Sequence, residues 1–331
     1  MSKIYFYKSL GHSVAYDQKG WYIDDLLQES LESEKGKIDV FKQKAILQAY
    51  SNIAYDIRKY SACFKNIAIL AGAGTSMENG SFGGKTRKEL WKSYKKEITK
   101  IKSCLNKSSN LELKKKCKEV CKSKNIENFL SFVLLYEKLT GKIQDTNGEF
   151  LTDKLEKEIA DACRLTLAPD NVHHQDFLRK LSARKPGDPR VQLYTTNYDT
   201  LFEQAANKMN FTILDGFSFS YPRIFNGKNF DYDIVYRDHT RVKQEESFVP
   251  NAIQLFKLHG SINWEKDSNG NIYQKENVKK PCIIYPASQK YESSYEQPYF
   301  EMIAHLQQTL RKDGTLMIVV GFGFQDKHIQ N

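Results

Sequence analysis

Four continuous apolar runs of strand length mark the chain: Asn66–Ala71, Val191–Thr195, Ile253–Leu258 and Leu316–Val320. They do not alternate with polar residues. Strands buried on both faces of a parallel sheet have that pattern. Phe211–Leu214 is a candidate for one more strand. Each of the four runs ends in a short glycine or polar turn: Gly72-Ala73-Gly74, Thr196-Asn197-Tyr198-Asp199, His259-Gly260-Ser261 and Gly321-Phe322-Gly323. Between the first two runs lie helix-length patterns at Lys88–Leu105, Leu111–Cys121, Asn125–Leu139 and Leu151–Leu165, closed by the breaker Pro186-Gly187-Asp188-Pro189. Ahead of the first run, Asp39–Tyr60 has apolar residues at mostly helical spacing, and residues 1–38 hold two possible elements. Gly216–Pro250 reads as irregular and aromatic-rich, and Asn269-Gly270 between Trp264 and Tyr273 suggests a hairpin.

Apolar strands punctuated by helices predict a doubly wound α/β core with a mainly parallel sheet. The expected organisation is a helical leader over 1–65 and a main domain over 66–331, with a large helical insertion at about 86–185. In open sheets of this kind, ligands bind at the carboxyl edge, where the four turns fall.

Composition narrows the class. The chain has 331 residues, 40% hydrophobic and 27% charged, the balance of a globular protein. No apolar run approaches the roughly 20 residues of a membrane span, so no membrane partner is expected. Met1–His12 does not read as a signal peptide. Six scattered cysteines suggest free thiols and a cytoplasmic protein rather than a disulfide framework. The chain stops at His328-Ile329-Gln330-Asn331, directly after a motif, and the expectation is that a longer protein continues beyond it.

The net charge of +10 is concentrated. Lys85–Lys124 holds fifteen Lys or Arg against four acids. Such a surface can attract phosphate-bearing partners. With Trp91 and Tyr94 as its only aromatics to stack on bases, a solvated face of lysine-rich helices is the favoured reading.

The turns carry the candidate chemistry. In Gly72-Ala73-Gly74-Thr75-Ser76, glycines let backbone N–H groups approach a pyrophosphate. The dehydrogenase fingerprint does not fit, because Met77 stands where its third glycine belongs. Asn197 and Asp199 can grip a ribose or order a water, or cap a helix. His259 at a strand end beside glycine is a candidate general base or a hydrogen-bonded structural histidine. Asp326 follows the last glycine turn. His173 and His174 are adjacent on a probable helix and point apart, so they make no metal pair.

Together and in this order, these motifs resemble the sirtuin-like NAD-binding domain. The match rests on Gly72-Ala73-Gly74-Thr75-Ser76 with Gly80 beyond, Thr196-Asn197-Tyr198-Asp199, Leu258-His259-Gly260-Ser261, and Gly321-Phe322-Gly323-Phe324 with Asp326. They look most like the divergent sirtuin-like domains of prokaryotic antiphage systems, which cleave NAD. The resemblance covers about Asn66–Asn331 and is weak across the insertion. It implies a Rossmann-like fold in which Gly72, Ala73, Gly74, Thr75 and Ser76 cradle the pyrophosphate. Asn197 and Asp199 would face the nicotinamide and its ribose, His259 would be the base, and Gly321 and Gly323 would lie against the adenosine half.

Deacylating sirtuins carry a four-cysteine zinc module after the His-Gly motif. Only Cys282 follows His259, so no zinc is expected. The implied activity is an NADase that yields nicotinamide and ADP-ribose, as the effector of an antiphage abortive-infection system. The family resemblance also implies a homo-oligomer, with an activating partner such as a phage protein, an ATPase of the HerA type or a nucleic-acid complex. A non-catalytic NAD or ADP-ribose sensor and an NAD-dependent protein deacylase are the alternatives. The pair Asn197 and His259 favours an enzyme over the sensor, and the missing zinc module disfavours the deacylase.

Overall fold

A computed structural model of the protein describes residues 3–17, 19–30, 38–77, 79, 82–185, 187–236, 248–284, 297–324, 326 and 329. The chain divides into two compact units, Met1–Lys65 and Asn66–Asn331.

The first unit departs from the expected helical leader. Four antiparallel strands, β1 (Ile4–Ser9), β2 (His12–Tyr16), β3 (Gly20–Ile23) and β4 (Leu26–Ser30), precede helix α1 (Ile38–Cys63). Two-residue turns fix the outer hairpins. Ser9 pairs with His12 across Leu10-Gly11, and Ile23 pairs with Leu26 across Asp24-Asp25. Both aspartates have positive φ, as a tight hairpin turn of matching twist requires. Val14 of the sheet is buried with Ala45 and Ala49 of α1, and Tyr7 donates its hydroxyl to Asp56 at 2.6 Å.

The second unit is a Rossmann-like α/β fold. Strands β5 (Asn66–Ala71), β6 (Gln192–Thr195), β7 (Thr212–Leu214), β8 (Ala252–Lys257) and β13 (Thr315–Val320) form one sheet in the order β13-β5-β6-β8-β7, with every pairing parallel. Residues on each strand alternate between two cores. Ile67, Ile69, Leu193 and Leu255 pack against α8 (His173–Ser182) and α9 (Leu201–Lys208) on one face. Ala68, Leu70, Tyr194 and Phe256 pack on the other, against α10 (Tyr299–Leu310) through Met302 and Leu306. The short strands β9 (Gly260–Ser261), β10 (Trp264–Lys266), β11 (Ile272–Gln274) and β12 (Cys282–Ile283) follow β8. The expected hairpin is the β10–β11 pair, with Lys266 opposite Ile272 and Asp267 receiving the N–H groups of Asn269 and Asn271.

Between β5 and β6 the chain forms one short turn, α2 (Gly74–Met77), and then α3 (Arg87–Ser93), α4 (Lys95–Asn106), α5 (Leu111–Lys122), α6 (Ile126–Thr140) and α7 (Leu151–Ala162) ahead of α8. Helices α4 to α7 close around a core of their own, which includes Ile101, Leu105, Phe129, Leu130, Leu155 and Ile159. Thr86 starts α3 with a reciprocal capping box: its hydroxyl accepts Glu89 N–H, and the Glu89 carboxylate accepts Thr86 N–H. The six cysteines are free thiols. Among the described residues, no helix is long and apolar enough to cross a membrane.

The ends of β5 and β13 are locked by two glycine turns that pass each other. Gly72 N–H donates to Val320 O at 3.0 Å and Gly74 N–H to Gly321 O at 2.8 Å. A Cβ at Gly74 would sit 2.7 Å from Gly321 Cα, and one at Gly321 would sit 2.6 Å from Thr75 N. Gly321 also has φ +61°, whereas nothing lies within 4 Å of a Cβ at Gly323. Gly321→Ala is therefore expected to destabilise the protein by about 1–3 kcal/mol, and Gly323→Ala by under about 0.5 kcal/mol. Urea denaturation of the two variants checks this, and equal losses would show that the turns do not meet in this way.

His174 on α8 is buried against the Phe202 ring, with centroids 5.0 Å apart, while its neighbour His173 is exposed. Burial lowers the His174 pKa; Asp199 opposes this shift and His173 adds to it. The unfolded chain then takes up the proton first. Stability is full above the ordinary histidine value of about 6.5 and declines as pH falls through the folded value. His305, also lowered by burial, contributes in the same sense. His174→Leu should make melting temperature fall less steeply between about pH 6.5 and pH 5. An unchanged slope would remove His174 from the acid response.

Candidate active site

The four turns lie side by side along the carboxyl edge of the sheet, and hydrogen bonds join each to the next. Thr196 N–H donates to Ala71 O at 3.1 Å and Leu258 N–H to Thr195 O at 2.8 Å, continuing the sheet ladder past the strand ends. The buried side chain of Asn197 then closes the first gap. Its amide nitrogen lies 3.0 Å from Gly72 O, 3.0 Å from Thr75 Oγ1 and 2.7 Å from Ser76 Oγ. Ser76 Oγ in turn donates to Asp199 Oδ2 at 2.6 Å, and Asp199 Oδ1 accepts Leu201 N–H at the start of α9.

The second gap is closed from β8. Ile262 N–H and the Ser261 hydroxyl both donate to Tyr198 O, at 3.1 and 3.3 Å. Lys257, the last residue of β8, is almost fully buried. Its ammonium donates to Asp199 O, lies 3.5 Å from Tyr198 O and pairs with Glu203 at 3.0 Å. Burial raises the Glu203 pKa, and Lys257 opposes that shift. Lys257 did not stand out in the sequence, because a strand-end lysine usually reaches solvent. The signal that could have found it is position: it lies two residues before His259, flanked on both sides by the apolar residues Phe256 and Leu258.

These turns enclose a cavity of about 460 Å³, within the range of small-molecule sites. Nine of the predicted site residues line it: Ala73, Gly74 and Ser76 from the first turn, Asn197, Asp199 and His259 from the second and third, and Gly321, Gly323 and Asp326 from the last. Gly72 and Thr75 are absent from the lining and act through Asn197. Gly80 lies outside the described residues, as does His328. His259 is 2% exposed and sits at the end of β8, with its ring centroid 6.5 Å from that of Tyr198. Its backbone oxygen accepts Ile284 N–H at 2.9 Å, and the Tyr198 hydroxyl donates to Ile284 O at 2.7 Å.

The N–H groups of Gly74, Thr75 and Ser76 are donated within the protein, to Gly321 O, Gly72 O and Ala73 O. The visible duty of these glycines is thus the close passage of two backbones.

The opposite wall comes from the insertion, which the sequence did not tie to the site. Lys85, Thr86 and Lys88 contribute from the start of α3, Glu127 from α6 and Cys163 from the end of α7. Burial pushes the Cys163 thiol up to about 12, and Asp199 and Glu127 add to that. It is a neutral thiol near pH 7, which removes a thiolate nucleophile from the chemistry available here. Among the described residues, no three His, Cys, Asp or Glu side chains are grouped to hold a metal.

The site therefore offers a buried imidazole, a buried carboxylate and a fixed carboxamide on one side of a cavity, with cations at its rim. No curated protein matches the chain. Residues 191–331 match the family model described as SIR2-like domain. The matched span begins at β6 and carries three of the four turns, and the Asn197 and Ser76–Asp199 hydrogen bonds tie the fourth to it. The match covers less than half of the chain, and over that stretch the chain is similar to SIR2-like domains, which use NAD.

Proposed function

We propose that the protein is an NAD glycohydrolase that converts NAD and water to nicotinamide and ADP-ribose. The observation that carries this reading is the convergence of Asn197, Asp199 and His259 with both glycine turns on one cavity. Breaking the bond between nicotinamide and ribose leaves an oxocarbenium-like centre on the sugar, as in glycoside hydrolysis. The bond's electron pair leaves with nicotinamide, which departs neutral. The buried carboxylate of Asp199 favours the positive charge developing on the ribose. Asn197 spends its N–H donors on the first turn, so its carbonyl oxygen is the half that can hold a water or the nicotinamide amide. His259 takes a proton as the water oxygen bonds to the sugar carbon, and then releases it to solvent.

Lys257 acts as a positioning residue. By holding Asp199 O it fixes the turn that presents Asn197 and Asp199. The dinucleotide would run from that turn past Ala73 and Gly74 toward Gly321, Gly323 and Asp326. On the strength of the four-motif resemblance, the physiological role proposed is that of an effector in bacterial antiphage defence. It would be a cytoplasmic homo-oligomer held silent until a partner activates it.

The test is turnover of NAD by purified protein, with nicotinamide and ADP-ribose followed by chromatography. His259→Ala should cut turnover by about 10²–10⁴ while the protein still folds. Asn197→Ala should lose turnover and also about 1–3 kcal/mol of stability, because it strands the acceptors of the first turn. Wild-type turnover in either variant would overturn the assignment of roles. Binding of NAD without turnover would mean either an enzyme awaiting its activator or the sensor.

Removing Lys257 alone leaves the partly buried Glu203 without its cation. Lys257→Met is expected to cost about 3–5 kcal/mol, and adding Glu203→Gln should recover part of that loss. Urea midpoints of the single and double variants measure the difference. Equal midpoints would mean that the pair is not buried as described.

A further inference from the structure

We propose that the lysine face of α3 and α4 binds duplex DNA through its phosphate backbone. Hydrogen bonding runs across the junction of the two helices, with Tyr94 N–H donating to Leu90 O and Ile98 N–H to Tyr94 O, both at 3.0 Å. Lys92, Lys96, Lys100 and Lys107 are exposed along this stretch at spacings of four, four and seven residues, away from buried Ile98, Ile101 and Leu105. That spacing keeps them near one side of a helix. From Lys96 to Lys107, at the C-cap of α4, the helix advances roughly 16 Å, about half a turn of duplex, and Lys92 on α3 precedes this row across Tyr94, whose backbone (φ −103°, ψ 23°) leaves the helical conformation. Among the described residues, these four lysines make no ion pair; in the whole basic segment the pair seen is Lys116 with Glu119. Their ammonium groups are exposed, with Glu89 near Lys92 and Asp145 near Lys100 as partial counter-charges.

The chemistry of the face selects its occupant. Single strands are held by stacking on aromatic rings. Here Trp91 packs edge-on against Phe129, with centroids 5.7 Å apart, and Tyr94 donates its hydroxyl to Glu158 O at 2.8 Å, so both aromatics are turned toward the insertion's core. Reading of base edges relies on forked Arg, whereas this segment carries fourteen Lys and one Arg, which suits phosphate contact without sequence preference. Stable attachment to a membrane surface needs an apolar anchor beside the basic charge. Leu111 is the one large apolar side chain exposed among the described residues of this segment.

Duplex RNA is read partly through its 2′-hydroxyls by polar side chains. The hydroxyls here are turned back onto their own helix, Thr99 to Lys95 O and Ser103 to Thr99 O. Lys85 and Lys88, at the start of the same basic segment, line the candidate active site, so a bound polyanion would lie next to the cavity mouth.

The experiment is fluorescence anisotropy with a labelled DNA duplex of about 20 base pairs and arbitrary sequence, titrated with the whole chain. Four phosphate contacts predict a salt slope of about −3.6, or a loss of roughly 150-fold in affinity between about 50 and 200 mM salt. Replacing Lys92, Lys96 and Lys100 together by Gln should reduce that loss to about fourfold. These residues are exposed and outside the cavity, so melting temperature and NAD turnover should stay as in the parent. Lys96→Gln alone, expected to lower the slope by about one, keeps the test should the triple variant not fold. Absence of binding at about 50 mM salt, or a slope that the substitutions leave unchanged, would overturn the proposal. So would tighter binding to a single strand, to duplex RNA or to phosphatidylserine vesicles. These outcomes do not depend on whether the cavity cleaves NAD.

Discussion

The amide group of Asn197 is the interaction on which the rest of the site depends. Parallel strands that end level with one another leave their turns adjacent but unlinked. The sheet ladder stops at the strand ends, and beyond it each turn must be fastened by side chains. Asn197 does this for β5 and β6, offering two N–H donors to three acceptors on the first glycine turn. The Ser76–Asp199 hydrogen bond runs in parallel with it, and Asp199 then passes the constraint into α9. Beneath them Lys257 fastens the same turn to β8, and above them the two glycine turns interlock β5 with β13. The polar groups that would touch a substrate are therefore the groups that hold the turns together.

This double duty explains why the site was legible in the sequence. A residue required by both architecture and chemistry sits at a fixed offset from a strand end, so apolar runs followed by short polar motifs exposed both the sheet and its ligand edge. Lys257 escaped because its partners, the carbonyls of Tyr198 and Asp199, are backbone atoms that no motif displays. The insertion's share of the cavity escaped for a related reason. Glu127 and Cys163 lie far along the chain from the turns, and only tertiary packing brings them to the wall.

The fold was read less completely where the signals were short. Helix α10 places Tyr299, Met302, Leu306 and Thr309 on its buried side at helical spacing, a pattern present in the sequence but set between irregular segments. The first unit was read as helical because its helix is long. Its four strands are only four to six residues each, rich in aromatics, and defined by two-residue turns such as Asp24-Asp25. A turn of that type depends on positive φ at both positions, which aspartate tolerates without announcing it.

The insertion shows how a second property can be added to such an edge without disturbing it. Its helices close around their own apolar core, so their outer faces are free of packing duties. One part of it, the start of α3, is held by the Thr86–Glu89 capping box and faces the cavity. The next helix, α4, carries lysines into solvent. A charge placed there costs the sheet nothing, because no buried group depends on it for a partner. The lysine inside the sheet has the opposite standing: Lys257 is itself buried and holds Asp199 O and the partly buried Glu203. The number of positive charges on the insertion can therefore vary widely while the fold persists, whereas the single charge beneath the Asn197 turn is fixed by the architecture.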